Sequence, residues 1–207
     1  MAAIWSCAKK TDEATVDLET PSFSTAVSFS ARTASTFTAT WAATDNVTVA
    51  SNLSYKVVSS SSNNITTVAD ALANGTIVQD WTVNSLTANF SALTDSTNYY
   101  VSVLVRDTDG NTGISAGATT TLCSGKAMFL ATVPNGNLGG ASGADGICAA
   151  QKPAGFTSAT FKAMLTDSGV RQACNVSDCT AVATGRTGWV FAVSQKYCTS
   201  DYEKNIG

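Results

Sequence analysis

Histidine is missing from all 207 positions, and that absence excludes more chemistry than any residue present implies. Without imidazole there is no Ser-His-Asp or Cys-His nucleophilic site, and no histidine-ligated zinc, unless another chain supplies the residue. Charge is scarce too. Asp, Glu, Lys and Arg make up 13% of the chain, against about 25% in an average soluble protein. The balance is acidic, net −3 with a pI of 4.8, which disfavours nucleic acid or an anionic membrane surface as the main partner. No stretch of about 18 consecutive apolar residues occurs, so no bilayer-spanning helix is expected. None of the six cysteines stands in CxxC spacing, so redox-active and zinc-ribbon patterns have no support. No Arg-Gly-Asp triplet occurs either.

What is abundant is hydroxyl: 24 Ser and 30 Thr. A hydrophobic content of 44% is enough for a packed core, which excludes a disordered chain. The cysteines are Cys7, Cys123, Cys148, Cys174, Cys179 and Cys198. Five of them lie in the C-terminal part, which is therefore expected to be stapled by disulfides and to come from an oxidising compartment. Met1 to Cys7 is too short for a secretory signal. Ile4-Trp5-Ser6-Cys7 nevertheless resembles the end of a bacterial lipoprotein signal, with an apolar residue three before a cysteine and a small residue just before it. Cys7 is thus a lipidation candidate or, alternatively, a partner for another cysteine. Residues 1–19, polar and charged from Ala8 to Glu19, are expected to form an N-terminal tether.

From Pro21 onward, short alternating runs separated by turn signals predict an antiparallel β-sandwich over 20–122. Phe23 to Ser30 and Thr36 to Trp41 alternate around Val27, Phe29, Phe37 and Trp41, and Leu53 to Val58 repeats the period of two. Tyr99, Val101, Val103 and Val105 face one way, with Tyr100, Ser102, Leu104 and Arg106 facing the other. Asp109-Gly110-Asn111 supplies a turn, and Gly113 to Leu122 reads as a closing strand. The runs Trp41 with Ala43-Thr44-Asp45-Asn46, Leu53-Ser54-Tyr55, Leu93 to Tyr99 and Asp107 to Asn111 resemble a bacterial fibronectin type III domain. The resemblance implies that Trp41 packs between the sheets and that Tyr99 closes a tyrosine corner. Asp107, Asp109 and Asn111 invite a calcium reading, but the glycine falls at the fourth place of the run rather than the sixth, and a hairpin turn accounts for them better. Six Asn-X-Ser/Thr triplets, at Asn46, Asn52, Asn64, Asn74, Asn89 and Asn175, carry little meaning in a chain this rich in Ser and Thr.

At Cys123 the composition changes and glycine becomes frequent. Ser142 with Asp145 three later predicts a capped helix start, and Lys152-Pro153 its end. Phe161 to Leu165 and Gly188 to Val193 read as strands. Asn135 to Gly140, Gly143-Ala144-Asp145 with Cys148, Phe161 to Asp167, Arg171 to Cys174, Cys179 and Trp189-Val190 resemble the endostatin-like domain of leptospiral surface proteins, a distorted relative of the C-type lectin fold. The resemblance implies a small α+β module over 123–207 and surface-exposed binding of host extracellular-matrix proteins or complement regulators. It also implies a pattern running on past Gly207 through further strands and another cysteine, so this module is expected to be incomplete. Endostatin's zinc and heparin sites do not carry over, since histidine is absent and only Arg171 and Arg186 lie beyond Cys123. Cys123, Cys148, Cys174, Cys179 and Cys198 are the disulfide candidates; Cys174 and Cys179 either bridge one another or reach elsewhere.

The expected protein is mainly β, non-enzymatic, free of catalytic and metal sites and of cofactors, and placed outside the cytoplasm, on a bacterial outer surface or secreted. Its expected contact with membrane is only through a lipid on Cys7. A carbohydrate-binding accessory role, with Trp81 or Trp189 stacking on sugar rings, is the alternative, as is a filament subunit lending sheet edges to a neighbour. Asp145, Asp167 and Asp178 are the carboxylates an enzyme would need, but no motif sets two of them around a site.

Overall fold

The computed structural model describes residues 16–133, 136–165 and 195–206. The chain separates into two compact units. The first comprises Met1–Arg32, Thr36–Ser91 and Asn98–Thr119; the second comprises Thr33–Ser35, Ala92–Thr97 and Thr120–Gly207.

The first unit is built from seven strands: β1 (Ser22–Ser30), β2 (Phe37–Thr44), β3 (Ser54–Ser60), β4 (Thr76–Val83), β5 (Thr87–Phe90), β6 (Asn98–Arg106) and β7 (Thr112–Thr120). They form a three-stranded sheet in the order β1-β2-β5 and a four-stranded sheet in the order β4-β3-β6-β7. The pairs β1–β2, β2–β5, β3–β4 and β3–β6 are antiparallel. In β2 the period of two does what it predicts: Phe37, Ala39, Trp41 and Ala43 are buried, while the residues between them are half-buried or exposed. Tyr55 and Val57 of β3 and Val101, Val103 and Val105 of β6 are buried with them. Across the two sheets, the Trp41 ring lies 6.0 Å from that of Tyr55, and Phe37, stacked on Phe90 at 4.4 Å, lies 6.2 Å from Tyr99. Each such side chain contributes about 1.5–3 kcal/mol by leaving water. Trp41 therefore sits between the sheets, as the fibronectin type III resemblance implies.

The opposite face of the four-stranded sheet is covered as well. Leu104 and Val58 bury themselves against Ile65 and Ala71, with Val68, Trp81, Tyr100 and Ile114 packed around them. Ala71 belongs to α1 (Val68–Asn74), whose N-cap Thr67 accepts the N–H of Asp70. Ser102, buried on this face, donates its hydroxyl to the carbonyl of Ile65. Hence β6 reads buried on five consecutive residues, Val101 to Val105. Alternation along β6 assigns faces correctly and says nothing about which face is wet. Neither α1, β4 nor β5 is announced by the sequence patterns above.

In the second unit, β8 (Lys126–Met128) pairs in parallel with β9 (Tyr197–Thr199), and a disulfide joins Cys123 to Cys198. Gly125 is required here: a Cβ would come within 2.5 Å of the Lys196 carbonyl oxygen and 2.8 Å of Cys198 Sγ. The helix α2 (Gly140–Ala150) begins earlier than the Ser142–Asp145 pattern predicts. Its N-cap is Gly139 in the left-handed region, φ 64°, with no side-chain cap, and Asp145 Oδ1 instead accepts the N–H of Ala163. Phe161 to Leu165 form no strand. Their alternation sorts side chains, but among the described residues no neighbouring strand pairs with them, and without a ladder the backbone gains no sheet. Among the described residues, no helix is long and apolar enough to cross a membrane.

Candidate functional site

The second unit contains an open concavity of about 900 Å³. Its lining is built by four segments: β8 and the chain after it (Met128, Phe129, Leu130, Val133), α2 (Ala144, Ile147, Cys148), the stretch from Phe156 to Leu165, and Tyr197 with Tyr202. Aromatic edges organise one wall. Phe161 meets Phe129 at 4.9 Å and Phe156 at 5.5 Å, both edge-on, and Phe156 lies 6.0 Å from Tyr202, the spacing at which ring quadrupoles attract. A side-chain amide holds the chain entering the wall: Gln151 Nε2 donates to the Thr132 carbonyl at 2.7 Å, and the Thr132 N–H donates to Gln151 Oε1 at 2.7 Å. Leu130 is 100% exposed, and Val133 and Met164 are exposed beside it. Lys126 and Lys162 are the charged residues among those lining it; no described lining residue is a carboxylate. Such a surface binds apolar groups by area and orients them with few polar contacts.

The base of this unit is pinned electrostatically. Lys196 Nζ donates to both oxygens of Asp95, at 2.7 and 2.6 Å. The Ser124 N–H and hydroxyl both donate to Asp95 Oδ2 at 2.9 Å. These donors, Lys196 foremost, favour the carboxylate and pull Asp95 from its ordinary 3.8 to about 2.

The residues singled out in the sequence fall as follows. Cys123 and Cys198 bond to one another, and Cys148 is half-buried on α2. Cys7, Cys174, Cys179, Asp167, Asp178 and Trp189 lie outside the described residues. Asp145 faces the Ala163 amide. Trp81 is half-buried: the Arg106 guanidinium lies 4.2 Å over its ring, and its body packs beside the Leu104 cluster. Asp107 organises the β6–β7 turn, its Oδ1 accepting the N–H groups of Asp109, Gly110 and Asn111, with Gly110 at φ +98°. Asp107 also gathers with Asp17 and Asp45, one carboxylate oxygen of each lying within 4.8 Å of the others. Sequence reasoning missed that grouping, because the three stand in different segments of the first unit and no local motif links them.

Residues 131–207 match the family model DUF1554, described as a protein of unknown function; the match covers less than half of the chain. No curated protein matches. Among solved structures, the chain is similar to a fibronectin type III domain of human fibronectin type III domain containing protein 3, at 14% identity and TM-score 0.39, covering 52% of this chain and 92% of that one. The sixth fibronectin type III domain of the same human protein gives 17% identity and TM-score 0.39, over 51% of this chain and 90% of that one. The sensor domain of the anti-sigma factor RsgI4 of Pseudobacteroides cellulosolvens gives 13% identity and TM-score 0.32, over 51% of this chain and all of that one. The first unit's own strand order, β1-β2-β5 in one sheet and β4-β3-β6-β7 in the other, is that of a β-sandwich.

Proposed function

We propose that the protein is a non-enzymatic binding protein of the extracytoplasmic space, in which the second unit recognises a protein partner through its apolar concavity. The observation that carries this reading is the lining itself: an aromatic wall with Leu130, Val133 and Met164 left exposed at its edge. Monomeric proteins rarely leave such apolar groups together without a use for them. The Cys123–Cys198 disulfide supports a location in an oxidising compartment. The endostatin-like resemblance of the C-terminal part supports extracellular-matrix or complement-regulatory proteins as the partner class, and a bacterial surface or secreted location. The sandwich serves as a rigid scaffold, with recognition on the loops of its neighbour.

The test is binding of the oxidised full chain to immobilised fibronectin, laminin and a complement regulator at two salt concentrations. Saturable binding with weak salt dependence is expected, since the surface has few charges. Leu130→Asp should weaken it at least about tenfold while leaving the melting temperature unchanged, because the Leu130 side chain is fully exposed. No binding by the intact, oxidised chain to any of the three would overturn the proposal.

A further inference from the structure

At one end of the sandwich three carboxylates meet. Asp17 precedes β1, Asp45 begins the connection from β2 to β3, and Asp107 opens the β6–β7 turn. Each offers an oxygen within 4.8 Å of the other two. Asp17 and Asp107 are 6% and 5% exposed. Among the described residues no lysine or arginine pairs with any of the three. Three carboxylates this close, largely out of water, repel one another in a medium that screens poorly.

Hydrogen bonds answer only part of that charge. Asp107 is satisfied at both oxygens, by the turn amides at Oδ1 and by Asn111 Nδ2 at Oδ2 (2.8 Å). Asp17 Oδ1 accepts the Glu19 N–H at 3.0 Å and Asn46 Nδ2 at 3.4 Å. Asp45 Oδ2 accepts the N–H groups of Val47 and Thr48. Asp17 Oδ2 and Asp45 Oδ1, however, are buried with no partner at all. A buried carboxylate oxygen without a donor is costly, and chains rarely leave two of them in one cluster.

We propose that Asp17, Asp45 and Asp107 form a Ca²⁺ site that locks the segment before β1 onto the two connections at this end of the sandwich. The donor set is oxygen only, which selects a hard cation. Two oxygens on one Ca²⁺, each at 2.3–2.6 Å, stand at most about 5.2 Å apart, so the observed spacing accommodates the ion between them. Backbone carbonyls or water complete the six to eight oxygens that Ca²⁺ takes. The loops are already tied to one another: the Thr48 and Thr108 hydroxyls lie 3.0 Å apart, and Asn111 Nδ2 donates to the Asp17 carbonyl at 2.9 Å. The cation therefore meets a cradle that needs little ordering.

The experiment uses the full chain stripped with a chelator, then titrated with CaCl₂ in calorimetry and in thermal unfolding, with MgCl₂ in parallel. One Ca²⁺ per chain is expected, with a rise in melting temperature of at least about 5 °C at roughly 100-fold excess over Kd. Mg²⁺ should give a much smaller response, since it demands tighter octahedral geometry. Asp17→Asn keeps an oxygen to accept the Glu19 N–H but removes the charge. It should cut Ca²⁺ affinity at least about tenfold and abolish the thermal response, while melting no lower than the wild type in chelator. Asp45→Asn provides the second variant. No heat and no shift up to about 10 mM Ca²⁺, above the range of weak extracellular modules, would overturn the proposal. So would an undiminished response in both variants, or an equal response to Mg²⁺.

Discussion

A single carboxylate shows how much one residue can organise. Asp95 receives Lys196 on both oxygens and Ser124 twice, and its pKa falls to about 2 from an ordinary 3.8. A depressed folded-state value means that the stabilisation is complete above about pH 4 and is lost as pH falls toward 2. Unfolding in urea at pH 5 and pH 2.5 should show that loss in the wild type, and Asp95→Asn should flatten it. At neutral pH the same substitution should cost about 1 kcal/mol, the low end of the worth of charge-assisted hydrogen bonds, because Asp95 is only partly buried and solvent screens the pair. Asp95 is plain in the sequence; its partner 101 positions away is not, because ion pairs across such distances leave no local pattern. Leu104 makes a second case. Its place in an alternating run is legible, yet only the structure reveals that it is fully buried on the outer face. Leu104→Ala should therefore cost about 2–5 kcal/mol, as for a core leucine and not a surface one, measured by denaturant unfolding.

Elements were legible in proportion to how much their side chains alone dictate them. The runs that build β1, β2, β3, β6 and β7 carry the period of two with turn residues between, and each was found where predicted to within a few residues. Edge strand β4 was not, since its register against β3 shifts twice and Ile77, Val78 and Val83 are exposed on it. Strand β5 has four residues, too few to show a period. Helix α1 is seven residues long and buries only Ala71, so it owes its existence to the sheet face it covers and to its cap. Thr67 both accepts the Asp70 N–H and donates to the Asp70 carboxylate. Thr67→Ala should destabilise the sandwich by about 1 kcal/mol, read as a lower denaturation midpoint with an unchanged slope. The opposite error, a strand expected over Phe161 to Leu165, arose because alternation records how side chains sort and not whether a neighbour is there to pair.

At the scale of the whole molecule, the six cysteines foretold disulfides in the C-terminal part but no connectivity. The Cys123–Cys198 bond closes a span of 75 positions, and every residue lining the concavity except Tyr202 lies within that span. Peptide mapping of the non-reduced protein should recover the two cysteines linked. Cys198→Ser should cost the second unit about 2–4 kcal/mol, detected as a lower unfolding temperature in oxidising buffer. The apolar concavity is the part least visible beforehand. Met128, Phe129, Phe156, Phe161, Tyr197 and Tyr202 read as scattered apolar residues, and nothing in their spacing says that they line one concavity.

The sequence by itself determined the mainly β character, the sandwich within the first part of the chain, the exclusion of imidazole chemistry and the cysteine-bearing nature of the second part. These follow from composition and from periods of two, which are properties of neighbouring residues. The tertiary structure alone decided which faces are dry, that Cys123 pairs with Cys198, that Asp95 holds Lys196, and that Asp17, Asp45 and Asp107 share one corner. Each of these joins residues far apart in the chain, and such meetings are set by how sheets and connections pack, which no local spacing encodes.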